Sequence, residues 1–250
     1  MGIFSPIILE ICADSIESAL AAASGGADRV ELCANLQEGG TTPSAACLEI
    51  ARQKLDIGLY VLIRPRGGDF LYSALEFEII KRDILYAKQA GADGIVSGVL
   101  LANGRIDTQR TAELIALARP LPFTFHRAFD MATDPFQALE ELITLGVDRL
   151  LTSGQSATAL KGASLIAALI QKAAGRIIIM PGGGVHEQTI YPLRVQTSAS
   201  EFHSSARRSQ SSLMEFHNPG VAMGNHAQEY TWSVVDATRV RAIRRAAEQG

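Results

Sequence analysis

Eight short apolar runs recur along this chain at nearly even intervals, with a helical stretch following each. The runs are Ile7–Cys12, Asp28–Cys33, Leu59–Arg64, Gly94–Gly98, Phe123–Arg127, Arg149–Thr152, Ile177–Met180 and Glu201–Ser204. Their starts lie 21, 31, 35, 29, 26, 28 and 24 residues apart. Each interval holds a strand, a loop and the crossover helix that parallel neighbours require. Helices are expected at Ser15–Ser24, Pro43–Lys54, Ala74–Ala90, Thr108–Ala118, Pro135–Leu145, Ala157–Ala173, His186–Val195 and Asp236–Glu248. Pro43 and Pro135 suit a first helical turn, with Thr42 and Asp134 as caps.

A triple echo supports this periodicity. Gly26-Ala27-Asp28, Gly91-Ala92-Asp93 and Gly146-Val147-Asp148 each run from a helix end into a strand. Glycine closes the helix in a left-handed conformation, and the short turn feeds the next strand. The three aspartates then lie at strand N-termini, the stability face of a barrel. Eight strand–helix units predict an α/β protein with a single (β/α)8 TIM barrel occupying residues 1–250 as one domain. An open doubly wound sheet would use fewer strands, and no G-x-G-x-x-G follows the first one. One long irregular stretch, about 205–235, follows the eighth strand and reads as a lid, a binding loop or an interface.

Composition limits the setting. With 47% hydrophobic and 20% charged residues the chain can bury a sizeable core, which excludes disorder as its main state. Basic and acidic residues number 23 and 26, so neither nucleic acid nor an anionic membrane is attracted by overall charge. The longest run without Asp, Glu, Lys or Arg is the polar 13-residue stretch Phe216–Gln228, too short to span a membrane. The first residues, through Pro6, lack the basic and apolar regions of a signal peptide. Three cysteines, an odd and low count, fit a reduced cytoplasmic protein without disulfides.

Function in such a barrel sits at the C-terminal strand ends. Those ends carry Glu10 and Cys12, Glu31 and Cys33, Arg64 and Arg66, Ser97, His126 and Arg127, Thr152 and Ser153, Gly182–Gly184, and His203–Ser205. Strand alternation puts Glu10 with Cys12, and Glu31 with Cys33, on the barrel's inner face. The two cysteines are either small buried hydrophobes or a soft dithiolate site suited to Cu(I) or zinc. Cys47, inside a helix, reads as inert core. Arg64 and Arg66, beside Gly67-Gly68, form either a planar anion site or ion pairs to Glu10 and Glu31 across the barrel mouth. His126 is a general acid/base, a metal ligand or a buried histidine with its partners satisfied. Asp130 would orient His126 or Arg127, or simply bound the turn.

Gly183 and Gly184, with Ser204 and Ser205 opposite, occupy the usual phosphate position after strands seven and eight. Arg207 and Arg208 lie within reach or on the surface. All five lysines fall in helical segments, so Schiff-base chemistry has no nucleophile. No P-loop, H-E-x-x-H or G-x-S-x-G pattern is present.

Taken together and in order, several segments resemble the CutC family. They are Glu10-Ile11-Cys12, Gly26 to Ala34, Glu38 to Ser44, Arg64-Pro65-Arg66-Gly67-Gly68-Asp69-Phe70, Thr124 to Asp130, Leu151 to Gln155 and Phe202-His203-Ser204-Ser205-Ala206. The resemblance implies a cytoplasmic TIM barrel, assembled as a homodimer or larger homo-oligomer and named for copper homeostasis. It also implies that Cys12 and Cys33 are the Cu(I) ligands. A second expectation is an enzyme acting on a small phosphorylated or carboxylated molecule. Arg64, Arg66, Gly183, Gly184, Ser204 and Ser205 would then bind the anion, and His126 with Glu10 or Glu31 would move protons. A third is a scaffold whose partner docks on the 205–235 stretch.

Overall fold

The computed structural model describes residues 6–221 and 229–248. Met1–Ser5, where a leader would begin, lie outside the described residues, as does the middle of the 205–235 stretch. The chain alternates β1 (Ile8–Ala13), α1 (Ile16–Ser24), β2 (Arg29–Leu32), α2 (Ala45–Lys54), β3 (Gly58–Leu62), α3 (Ala74–Gln89), β4 (Gly94–Ser97) and α4 (Thr108–Ala118). It continues with β5 (Phe123–Phe125), α5 (Pro135–Thr144), β6 (Arg149–Thr152), α6 (Ala163–Ala173), β7 (Ile178–Pro181), α7 (Ile190–Thr197) and β8 (Glu201–Ser204). A hairpin of β9 (Arg207–Ser211) and β10 (Thr231–Val235) precedes α8 (Ala237–Glu248). Strands β7 back through β1 to β8 form one parallel sheet. The parallel bridge Gly182–His203 joins its two ends, and the (β/α)8 barrel is complete.

The aspartate echo has a physical basis. Asp28 accepts the Leu9 amide at 2.7 Å, Asp93 the Leu59 amide at 2.8 Å, and Asp148 the Phe123 amide at 2.7 Å. Each carboxylate thus caps the start of the preceding strand. Each also pairs with an arginine: Arg244, Arg52 and Arg119 respectively. The glycines two residues earlier adopt positive φ, +91° at Gly26, +87° at Gly91 and +76° at Gly146, where a Cβ would be strained.

Four local expectations change. Ser44, not Thr42, caps α2 by accepting the Cys47 amide, and Pro43 stays outside the helix. Thr42 instead bonds both backbone polar groups of Arg64. Helix α6 starts at Ala163 rather than Ala157, because residues 154–162 fold back. Gly154 lies so close to the Gly162 carbonyl that a Cβ would come within 2.4 Å of its oxygen. Helix α7 starts at Ile190 rather than His186, after the Thr189 hydroxyl closes the turn on Gly184. The stretch read as irregular contains an antiparallel hairpin, registered from Thr231–Ser211 to Val235–Arg207. Its first strand, Arg207-Arg208-Ser209-Gln210-Ser211, lacks the apolar alternation by which a strand is recognised.

Candidate functional site

Alternation along β1 and β2 delivers the side chains as expected. Ile11 and Leu32 join the large core between sheet and helices. Cys12 and Cys33 form a separate interior cluster with Tyr60, Leu62 and Val96. Beneath them lies a buried layer of charge. Arg29 Nε meets Glu10 Oε2 at 2.5 Å and Arg29 Nη2 meets Glu201 Oε2 at 2.6 Å. Arg149 grips the same Glu201 carboxylate, at 2.6 Å and 3.1 Å. Both guanidinium groups stack on the Tyr60 ring, 4.9 Å and 5.5 Å from its centroid. Arg29, Arg149 and Glu201 were not singled out in the sequence. The signal was present: Arg29, Glu31 and Cys33 alternate on one strand face, as do Glu201 and His203.

This layer leads upward to His203. Its Nδ1 lies 2.6 Å from Glu10 Oε1, and its Nε2 lies 3.9 Å from Glu31 Oε2. Cys12, Glu31 and His203 each place a potential ligand atom within 4.8 Å of the others. The Cys12 and Cys33 sulfurs are 3.6 Å apart, and Cys33 Sγ is 3.4 Å from the Ala13 carbonyl. Four groups in this nest have pKa values shifted from their ordinary ranges. Burial works against the Glu10 carboxylate, but His203 and Arg29 together pull its pKa down to about 2. Burial also opposes the His203 cation, yet Glu31, Cys12 and Glu10 outweigh it and raise His203 well above 6.5. Cys12 is raised well above 9.0 by its contact with Cys33, by burial and by the charge of Glu31. Glu31 is raised, chiefly by burial.

Above the nest opens a cavity of about 540 Å³, lined by Cys12, Glu31 and His203 at its floor. That volume is typical of a small-molecule site. Gly183, Gly184, Ser204, Ser205, Arg64 and His126 also face it. Neither Glu10, fully buried, nor Arg66 reaches it. Arg66 ties its own loop together, pairing with Glu76 at 2.5 Å and Asp69 at 3.0 Å. The expected ion pairs from Arg64 and Arg66 to Glu10 and Glu31 do not form. Instead Arg64 donates to the carbonyls of Glu38, Gly40 and Gly68 at 2.6–2.8 Å and stacks on Phe70. The glycine loop is not a helix N-terminus, since α7 begins only at Ile190. Ser204 is engaged, donating to the Val185 carbonyl at 2.6 Å.

His126 is buried against Phe70, and its pKa falls to about 3 through desolvation and the nearby charge of Arg64. Its Nδ1 accepts the Ala128 amide at 3.2 Å, so the neutral ring carries its proton on Nε2. Such a ring donates a hydrogen bond and does not suit the role of base at neutral pH. Gly98 makes this placement feasible, because a Cβ there would come within 2.6 Å of His126 Nδ1. Asp130 orients Arg127 rather than His126, at 2.8 Å, while accepting from Thr152 and Ser153. Two arginines not foreseen as a pair, Arg207 on β9 and Arg239 on α8, complete the cavity rim. Lys161 lies in the turn before α6, and no lysine lines the cavity. Among the described residues, no helix is long and apolar enough to cross a membrane.

Comparison with known proteins places this geometry in a wider group. Residues 7–208 match the model of the CutC family. The human copper homeostasis protein cutC homolog is 50% identical over 244 residues, covering 97% of this chain and 89% of that protein. A CutC family protein of Chromobacterium violaceum is 51% identical over 243 residues, covering 97% and 98% of the two chains. A crystal structure of a CutC protein from Streptococcus agalactiae is 36% identical with a TM-score of 0.76. It covers 80% of this chain and 98% of its own.

Proposed function

The chain belongs to the CutC family, and from that premise we propose that it serves copper homeostasis by binding Cu(I) through the thiolates of Cys12 and Cys33. The observation that supports this reading is the 3.6 Å contact between the two sulfurs inside the barrel. Thiolates are soft ligands that favour Cu(I), and two of them at about 2.3 Å from one ion would subtend roughly 100° across such a gap. That bent geometry leaves room for a further donor, and His203 and Glu31 border the same space. The reducing cytoplasm, where copper is monovalent and thiols stay free, is the compartment in which this chemistry works. We place the protein there, as a homo-oligomer.

Cu(I) is cargo in this reading. The protein's part is to hold two thiols together, to shed their protons on binding, and to exclude water with Tyr60, Leu62 and Val96. Anaerobic titration with Cu(I) against a chromophoric chelator tests it. Wild type should take up one equivalent tightly, and the Cys12→Ala/Cys33→Ala double variant should lose that equivalent. Equal, weak uptake by both proteins would sink the reading.

A further inference from the structure

The metal nest accounts for only the floor of the cavity; its walls carry a different chemistry. Arg64 is 5% exposed, and among the described residues no carboxylate pairs with it. A buried charge answered by carbonyl dipoles and the Phe70 ring, with no carboxylate, is costly. Arg64 Nε, His126 Nε2, and Arg207 Nε and Nη2 are all buried without a hydrogen-bond acceptor. Arg207 Nη2 has only Asp14 Oδ2 nearby, at 3.8 Å. Orphaned buried donors are rare in folded proteins, and each calls for a partner. Here four such atoms belong to three residues that line this cavity, Arg207 standing between it and a second one lined by Asp14, and every one of the four is a nitrogen donor.

The same walls are preorganised. Arg239 donates to the Arg207 carbonyl and lies 3.3 Å from Glu187, which fixes it on the rim. Arg127 is held by Asp130 and Ser153. The cavity therefore presents arginines from just past β3, the β5 end, β9 and α8, against the single carboxylate Glu31. Gly183 and Gly184, at φ +97° and +72°, bring backbone to the cavity surface with no side chain in the way. Copper does not explain these groups, because guanidinium and a neutral imidazole N–H repel or ignore a cation.

We propose that the cavity binds a small organic phosphate. Its phosphoryl group would sit at the rim with Arg207 and Arg239, and its other oxygens would accept from His126 Nε2 and Arg64. The volume of about 540 Å³ exceeds what inorganic phosphate fills and suits a pentose phosphate. The proposal stands independently of copper. A ligand seated there would cover the Cys12 and His203 floor, which couples the two sites by shared space.

Isothermal titration calorimetry on metal-free protein at constant ionic strength tests this, with four probes: inorganic phosphate, ribose 5-phosphate, ribonate and ribose. Ribose 5-phosphate should bind at least tenfold more tightly than phosphate and compete with it, and ribose should not bind. Arg207→Gln should weaken both phosphates at least tenfold. Arg64→Gln should weaken ribose 5-phosphate while sparing inorganic phosphate. The protein is metal-free throughout, which keeps these affinities apart from the copper reading, and Asp148→Ala on the opposite barrel face should leave both within twofold. If Arg64→Gln does not fold, Arg239→Gln on the rim replaces it, with the loss expected of Arg207→Gln. Absence of phosphate and ribose 5-phosphate binding at millimolar concentration would overturn the proposal. So would unchanged affinity in Arg207→Gln, or ribonate binding in place of the phosphates.

Discussion

His203 Nδ1 and Glu10 Oε1 lie 2.6 Å apart across the pairing of β8 with β1, and this contact turns Nε2 toward Cys12 and Glu31. A carboxylate behind an imidazole is the usual support of a metal-binding histidine, because it fixes the ring and raises its basicity. Glu10→Gln should therefore lower Cu(I) affinity about 10–100-fold, the cost seen when such a supporting partner is removed. It should also move the His203 titration downward, since a negative charge and a hydrogen bond to the cation are lost. NMR titration of the imidazole and chelator competition measure the two effects. Unchanged values in both would show that Glu10 serves the barrel interior alone.

Much of this arrangement was legible in the sequence, because period-two alternation fixes which side chains share a strand face. Glu10, Cys12, Glu31 and Cys33 could be placed inside the barrel from that rule. What escaped was pairing across the barrel. Arg29 and Glu201 are 172 residues apart in sequence, and no local pattern says that their strands enclose one space. Arg66 misled for the opposite reason. Two arginines flanking Pro65 look equivalent in sequence, yet only Arg64 reaches the cavity while Arg66 closes onto Glu76 of α3. The rim arginine Arg239 sits in a helix with no motif of its own, and only the closed barrel brings it over the mouth.

Acid should weaken the fold through Glu10. Its carboxyl titrates at about 2 when folded, against 4.5 ordinarily, so its contribution is present above 4.5 and is lost as pH falls toward 2. The depression corresponds to stability on the order of 3 kcal/mol. His203 has the opposite sign: its raised value gives stability below 6.5 that disappears as pH rises through the folded pKa. Urea unfolding at pH 7 and pH 3 should show a larger loss for wild type than for Glu10→Gln. Equal losses would contradict the assignment.

Glu201 holds two buried arginines at once. Glu201→Ala would leave Arg149 without its carboxylate and Arg29 with only Glu10. Breaking a buried pair on one side costs about 3–5 kcal/mol, because the remaining charge stays desolvated. The melting temperature should fall by several degrees, and the double change Glu201→Gln/Arg149→Met should recover part of the loss. A single variant as stable as wild type would mean that water enters the layer freely.

The strand-capping aspartates should affect stability and leave the mouth untouched. Asp148→Ala removes the acceptor of the Phe123 amide and the partner of Arg119, at a cost of about 1–3 kcal/mol. Chemical denaturation would register this, while copper and phosphate affinities should stay within twofold of wild type. A binding defect in Asp148→Ala would show that the two barrel faces are coupled.

Copper binding should tighten with pH. The Cys12 thiol is held well above 9.0 in the metal-free protein, so it enters the reaction protonated at neutral pH. A thiolate ligand must lose that proton, and each proton displaced makes the apparent affinity rise about tenfold per pH unit. Between pH 6 and pH 8 the dissociation constant should thus fall by about 100-fold for one proton. The sign follows from mass action: acid restores the thiol and expels the metal. Calorimetry in buffers of different ionisation enthalpy counts the protons directly, and at least one should appear per copper bound. Cys12→Ser should flatten the profile as well as weaken binding, whereas a pH-independent affinity in wild type would place the copper on groups other than this buried thiol.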